Sequence, residues 1–409
     1  MEKILIITDF IEGQPVIASV RYSELMVYIR NKYYITIVND IKYGERKSIY
    51  SDENFKFITT KSKFTQSLNS NQPKVSTLNK LARNKLTLFL WRNYSYSKYK
   101  FYKDNKKVLN NIKDFVINKK IDCIFVTVPD VYGLYIMKYL KDNIPYIPVI
   151  VEVRDIINHK IGKGNPTIVN RNAEKILKRY SNGIIALSEG IFEYYSKMCK
   201  NSEIKLIKNG YDETQFNNCV YKKVSLEKDK LIFAHIGSIY KGRNIKDFVR
   251  ALIKLNKIIN KNIEFNIVGY LDNEALEDIK GINSEVNENI KINILGTIPH
   301  NEAIQYLKAC DIAVILTHKK GSDYAIPGKT YEYIGACKPI IAVTNDKALI
   351  NLIDKKYGEC ACHNVDEIVN KILDIIGKEY SFEDRKIYSR KNQANQISNF
   401  IEKIIEERI

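Results

Sequence analysis

Residues 322–343 read SDYAIPGKTYEYIGACKPIIAV: a loop, then a short helix, then a buried strand. Pro327 and Gly328 break the chain just ahead of Lys329. Over 329–337, Tyr331, Ile334 and Gly335 fall at i, i+3, i+4 spacing, the pattern of one helix face. Lys338-Pro339 stops that helix, and Ile340, Ile341 and Val343 make a short apolar strand. A loop feeding a helix start presents backbone N–H groups and the positive end of the helix dipole, which suits a phosphate. Glu332, one turn inside, can accept hydrogen bonds from both hydroxyls of a ribose diol. A surface helix capping a strand would read the same way, so the rest of the chain has to decide.

Working outward, the second half repeats one rhythm. Strands are expected at 231–236 (LIFAHI), 264–268, 290–295 and 312–316, with helices at 245–259 and 302–309. The first half does likewise, with strands at 4–8 (ILIIT), 34–38, 121–128, 149–153 and 183–187, helices at 20–30, 131–141 and 166–180, and a loop at 9–19. Strand and helix in alternation predict parallel sheets with helices on both faces. At 409 residues the chain is long enough for two domains. Ligands of such sheets bind where the carboxyl ends of strands meet helix starts. In HIGSIYKGRNIKDFVRAL (235–252) a strand ends at Gly237, a basic loop follows and a helix begins. Lys241 and Arg243 stand there as two cations for a diphosphate, whose charge they would neutralise as it leaves.

Composition narrows the classes. Apolar residues make up 45% and charged residues 27%, as in soluble globular proteins. No apolar run reaches the length of a membrane-spanning helix, and MEKILIITDF reads as a strand rather than a signal peptide, so a cytoplasmic location is expected. The seven cysteines are scattered, and Cys360, Cys362 and His363 lack a second ligand pair at zinc-finger spacing. The net charge of +18 predicts attraction to an anionic surface. Twelve basic residues lie between Lys80 and Lys120, interleaved with Phe89, Leu90, Trp91, Tyr94, Tyr96, Tyr99, Phe101 and Tyr102. That mixture suits a membrane interface or single-stranded nucleic acid, and equally a solvated helix pair with one core face.

Several segments resemble retaining glycosyltransferases of glycosyltransferase family 4. Pro327, Lys329, Tyr331, Glu332, Tyr333, Lys338 and Pro339 fill that family's P-x-K-x-(Y/F)-E-Y-x-x-x-x-K-P signature. Residues 235–252 resemble its G-R-L-x-x-x-K-G-x-x-x-L-x-x-A segment. Arg243 falls on the lysine, Asn244 on the second glycine and Ala251 on the alanine. Ser238 replaces the arginine, which leaves one cation fewer, and Lys241 is the stand-in. IKLIKNGYDETQF (204–216) resembles V-I-x-N-G-V-D-x-x-x-F through Asn209, Gly210, Asp212 and Phe216, at the passage between domains. LGTIPHNEAIQYLKACDIAVI (295–315) resembles the segment beside the nucleobase, with Gly296, Ile298 and Asp311 in place and His300 read as a helix-start residue. VEVRDIIN (151–158) resembles the strand end H-D-x-W, with Arg154 at the histidine and Asp155 at the aspartate. Two departures stand out. The first glutamate of Glu-x7-Glu is Tyr324 here, with Asp323 one place earlier, and a glycine pair is reduced to Gly13.

The resemblance implies the α/β GT-B fold, two doubly wound Rossmann-like domains facing across a cleft. Its domains would be an acceptor-side domain at 1–208, a nucleotide-sugar domain at 209–385, and a C-terminal helix at 386–409 packing back toward the first, helical from about 383. It implies transfer of a hexose, with retention, from a nucleoside-diphosphate sugar to a glycan or polyprenyl-linked acceptor in bacterial surface polysaccharide synthesis. The catalytic set would be Arg243, Lys241, Glu332, Arg154 and Asp155. Donor contacts would come from Gly13, Gly237, Ser238, Gly269, Ile298, Asp323, Tyr324, Pro327, Gly328, Lys329, Thr330 and Glu332. No D-x-D-type metal site is evident, so no metal or other cofactor is expected, and no nucleic acid partner; a peripheral position on the inner face of the plasma membrane follows from the basic, aromatic stretch. The competing readings are a polyanion- or nucleic-acid-binding protein without turnover, and a sugar-nucleotide epimerase on the same fold.

Overall fold

The computed structural model describes residues 1–13, 17–41, 46–59, 85–128, 131–158, 167–240, 242–243, 245–282, 285–319, 324 and 326–407. They form two compact units: Met1–Lys208 with Gln393–Ile409, and Asn209–Asn392.

The first unit holds a seven-stranded parallel sheet. Its strands are β1 (Lys3–Thr8), β2 (Tyr34–Asp40), β3 (Glu53–Phe57), β4 (Cys123–Val128), β5 (Val149–Val153), β6 (Gly183–Ala186) and β7 (Glu203–Leu206), in the order β3-β2-β1-β4-β5-β6-β7. The central strands β1, β4 and β5 are buried on both faces, which is why they read as unbroken apolar runs. The edge strands β3 (ENFKF) and β7 (EIKL) carry charges, as edge strands do, and no apolar run announces them. The helix expected at 20–30 spans Ile17–Ile29. The C-terminal segment differs from a single helix starting near 383. Glu383–Tyr388 is a 3-10 turn, Ser389 is extended, and the α-helix runs Arg390–Glu406. Its Ala394, Ile397, Phe400, Ile401 and Ile404 pack into the first unit's core with Ile4, Ile6, Ile150 and Ile185.

The second unit holds a six-stranded parallel sheet: β8 (Lys230–Ile236), β9 (Asn262–Val268), β10 (Ile290–Gly296), β11 (Ile312–Leu316), β12 (Ile340–Val343) and β13 (Gly358–Ala361), ordered β10-β9-β8-β11-β12-β13. The strand order reverses between β8 and β11, the switch point where such sheets open a crevice. There the ladder is short. β8 and β9 stay paired from Lys230↔Asn262 to Ile236↔Val268, whereas β8 and β11 pair only at Phe233↔Ile312 and Ala234↔Ala313. Beyond that point side chains replace the ladder. Ile236 N–H donates to the Tyr333 hydroxyl at 2.9 Å, and that hydroxyl donates to the Val314 carbonyl at 3.3 Å. β13 was not expected because its four residues, GECA, centre on Glu359. That carboxylate is fully buried, and Lys371, Lys378 and Tyr380 bind it. Among the described residues no helix is long and apolar enough to cross a membrane.

Candidate functional site

At the carboxyl ends of β8, β9 and β10 stand Gly237, Gly269 and Gly296, with φ of +116°, +136° and +69°, values that L side chains rarely adopt. A Cβ on Gly269 would lie 2.5 Å from the Gly237 carbonyl carbon, so two backbones meet there with no room for a side chain. Gly237 N–H donates to Val268 O and Gly269 N–H to Gly296 O, which ties the three strand ends into one floor.

Cations gather over that floor. Arg243 Nη1 donates to the Ser238 carbonyl at 2.9 Å, and its guanidinium lies 4.5 Å from the Tyr240 ring centre. Its Nε is buried and has no hydrogen-bond partner among the described residues. The Lys329 ammonium reaches the same place from the helix Lys329–Gly335: a Cβ on Gly237 would sit 3.3 Å from Lys329 Nζ. Burial first, then the charge of Arg243, pushes the Lys329 pKa well below the ordinary lysine value. Nζ also donates to Nε2 of His235 at 2.8 Å, and Nδ1 of that imidazole lies 3.0 Å from the Val314 carbonyl. His235 is fully buried, and burial with the charges of Lys329 and Arg243 holds it neutral.

Glu332 lies one turn further along the same helix. Its Oε1 is 2.9 Å from Nε2 of His300, the first residue of the helix His300–Ala309. The Thr330 hydroxyl is fully buried and has no hydrogen-bond partner among the described residues. Pro327 and Gly328 are half-buried, and a Cβ on Gly328 would lie 3.3 Å from Asn209 Nδ2. The N-cap residue of this helix, Gly328, has no side chain with which to cap it. Ile298 packs, partly buried, against the second unit's core, and Tyr324 is half-buried. Lys241, Asn244 and Asp323 lie outside the described residues. The structure thus brings Gly237, Ser238, Gly269, Arg243 and Lys329 together at one sheet end, with Thr330 and Glu332 on the helix that carries Lys329. His235 and His300 were not expected to partner Lys329 and Glu332. They sit 94 and 32 positions away from those residues, and no local pattern marks such pairs.

In the first unit, Arg154 Nε donates to the Val128 carbonyl at 3.2 Å and its guanidinium lies 5.7 Å from the Phe10 ring centre. Asp155 Oδ1 accepts from the Ile156 N–H at 2.9 Å. Gly13, with φ of +70°, sits so close to the Arg46 guanidinium that a Cβ would come within 2.7 Å of it. Arg21 and Glu152 form a buried ion pair at 2.6 Å that sequence reading did not foresee. They line, with Thr8, Thr127 and Arg154, a cavity of about 30 Å³. Among the described residues no three His, Cys, Asp or Glu side chains are placed to hold a metal ion.

Residues 220–395 match the family model described as Glycosyl transferases group 1. No curated protein matches the chain. Solved structures similar to this chain include that of Anabaena HepE in complex with UDP and glucose, at 15% identity and TM-score 0.55, covering 100% of this chain and 98% of that one. They include the apo lipopolysaccharide outer core galactosyltransferase WaaB, at 12% identity and TM-score 0.64, covering 100% of both chains. A putative UDP-N-acetylglucosamine 2-epimerase from Listeria monocytogenes also matches, at 12% identity and TM-score 0.58, covering 99% and 97%. At such identities the likeness speaks for the fold alone, and that fold is GT-B, with its two Rossmann-like units.

Proposed function

With the second unit carrying a glycosyl transferases group 1 match, we propose that this protein is a retaining hexosyltransferase acting on a nucleoside-diphosphate sugar. The observation that carries the reading is the meeting of Arg243 and Lys329 over Gly237, with Glu332 one helical turn away. Two cations at a crevice where backbone crowds the floor suit a diphosphate, and they stabilise the negative charge that grows as the sugar–phosphate bond breaks. Glu332 grips the ribose diol, exchanging its His300 partner for two hydroxyls. Gly13, Ser238, Gly269, Ile298, Tyr324, Pro327, Gly328 and Thr330 complete the donor contacts, and Arg154 and Asp155 meet the sugar. With cationic side chains on the diphosphate, no metal is needed. Departure and attack take place on the same face of the sugar, and the leaving diphosphate oxygen takes the acceptor's proton.

The acceptor in this reading is a glycan or a polyprenyl-linked sugar at the inner face of the plasma membrane, within bacterial surface polysaccharide synthesis. The helix Lys85–Ser95 supports the membrane half of that statement. It exposes Leu86, Phe89, Leu90, Trp91 and Tyr94 to solvent, with exposed Lys85 at its start and Lys98, Lys103, Lys106 and Lys107 exposed on the next helix. Rings at headgroup depth and lysines against lipid phosphates suit such a face.

Incubation with UDP-, GDP- and ADP-sugars, reading released nucleoside diphosphate and free sugar, tests the proposal. Slow hydrolysis of one donor with the anomeric configuration kept is the expected outcome. Conversion of the donor to an epimer without release of sugar would favour the epimerase reading. Inertness toward every donor, with tight binding of RNA or polyphosphate, would favour a polyanion-binding protein.

A further inference from the structure

Ser238 stands where the family that this segment resembles has an arginine. Lys329 delivers its ammonium there from another element, over Gly237. A lysine has four rotatable bonds, and pointing it at one spot costs entropy unless something holds it. His235 holds it. Nδ1 of His235 lies 3.0 Å from the Val314 carbonyl, which places the proton on Nδ1 and leaves the lone pair of Nε2 facing Lys329 Nζ at 2.8 Å. That imidazole is itself fixed, fully buried at the end of β8. Among the described residues no carboxylate lies within ion-pair distance of Lys329 or Arg243, and the nearby Glu332 is engaged by His300. Two basic side chains therefore meet over Gly237 with no carboxylate of the described residues in ion-pair reach.

We infer that His235 is a positioning residue: its Nε2 aims the Lys329 ammonium over Gly237, so that Lys329 supplies the diphosphate-binding cation missing at position 238. The inference rests on the donor-site reading above. It adds two assignments, namely which side chain replaces the arginine and what holds it in place. Nε2 of the neutral imidazole accepts a hydrogen bond from one of the three ammonium N–H groups, which leaves two N–H groups for phosphate oxygens.

The test is calorimetry with pyrophosphate, UDP and uridine on the full chain. Lys329→Met and His235→Leu are each expected to weaken pyrophosphate and UDP about tenfold or more, the scale of a charge-assisted hydrogen bond, with uridine unchanged. His235→Gln, whose amide oxygen can accept from Lys329, restores most of the affinity. In the double variant the His235 change adds nothing to Lys329→Met. Nitrogen-15 NMR of the unaltered protein gives a check free of folding effects: His235 should carry its proton on Nδ1, and its Nε2 signal should shift on adding pyrophosphate. Unchanged pyrophosphate affinity in folded His235→Leu, or independent losses in the double variant, overturns the inference and leaves the donor-site reading standing. A wild-type protein that binds neither pyrophosphate nor any of UDP, GDP and ADP overturns both.

Discussion

Among the described residues Glu332 has one hydrogen-bond partner, His300, and both groups have solvent access. Glu332→Ala is expected to lower turnover by roughly a hundredfold or more, since two charged hydrogen bonds to the ribose are lost. Steady-state rates on a folded variant check this, and unaltered kinetics would remove Glu332 from the site. Arg243→Ala should weaken nucleoside diphosphate much more than nucleoside; equal losses by calorimetry would mean its place over Tyr240 is structural. His235 also makes stability depend on pH. Its pKa lies well below the ordinary 6.5 in the fold, so below about that pH the unfolded chain binds the extra proton. The stabilisation is complete above that value and is lost as pH falls, by up to about 1.4 kcal/mol per pH unit. Urea midpoints at about pH 7.5 and about pH 5.5 should diverge more in the wild type than in His235→Gln. At this scale the sequence was readable where chemistry is local. Arg243, Lys329 and Glu332 each stand in a short pattern beside Gly or Pro. The partners that hold two of them belong to other elements, and only the sheet order brings them near.

Among the elements, the helix Lys329–Gly335 is held by close contacts at its far end. A Cβ on Gly335 would lie 2.6 Å from the Tyr211 ring, and Arg385 Nη1 donates to the Gly335 carbonyl. Gly335→Ala should displace that ring and cost about 1–3 kcal/mol, the usual range for overpacking. A denaturant midpoint equal to wild type would show that Tyr211 moves freely. The helix and the following strand were legible because apolar period, Gly328 and Pro339 agree. The strands β3, β7 and β13 were not, because each is short and carries a charge where an apolar run would have marked it. In β13 that charge, Glu359, is matched by two lysines and a tyrosine contributed from later in the chain. The 3-10 turn Glu383–Tyr388 escaped for a different reason: its polar composition suits an α-helix equally well.

For the whole molecule, the excess of 65 basic over 47 acidic residues is the dominant electrostatic fact. If the Lys85–Ser95 face docks on membrane, sedimentation with anionic liposomes should exceed that with neutral ones and fall as salt shortens the screening length. Lys98, Lys103, Lys106 and Lys107 changed together to Glu should abolish it. Each lysine contributes on the order of 1 kcal/mol at such a surface. Equal failure with both liposome types at low salt would direct attention to a soluble acceptor. Two Rossmann-like units were readable from the alternation of strand and helix over 409 residues. That residues from Gln393 onward pack with the first unit was not a matter of pattern. It was expected only by resemblance, because amphipathic spacing says that Ile397, Phe400 and Ile404 are covered but not by which sheet.

The Tyr333 hydroxyl that completes the seam between β8 and β11 has one further consequence. The Ile236 amide hydrogen is shielded by a phenol rather than by a neighbouring strand. Its exchange with deuterated solvent is therefore expected to report the opening of the Tyr333 contact, where its neighbours along β8 report the opening of the sheet. A single amide beside the crevice becomes a built-in gauge of how rarely that seam comes apart.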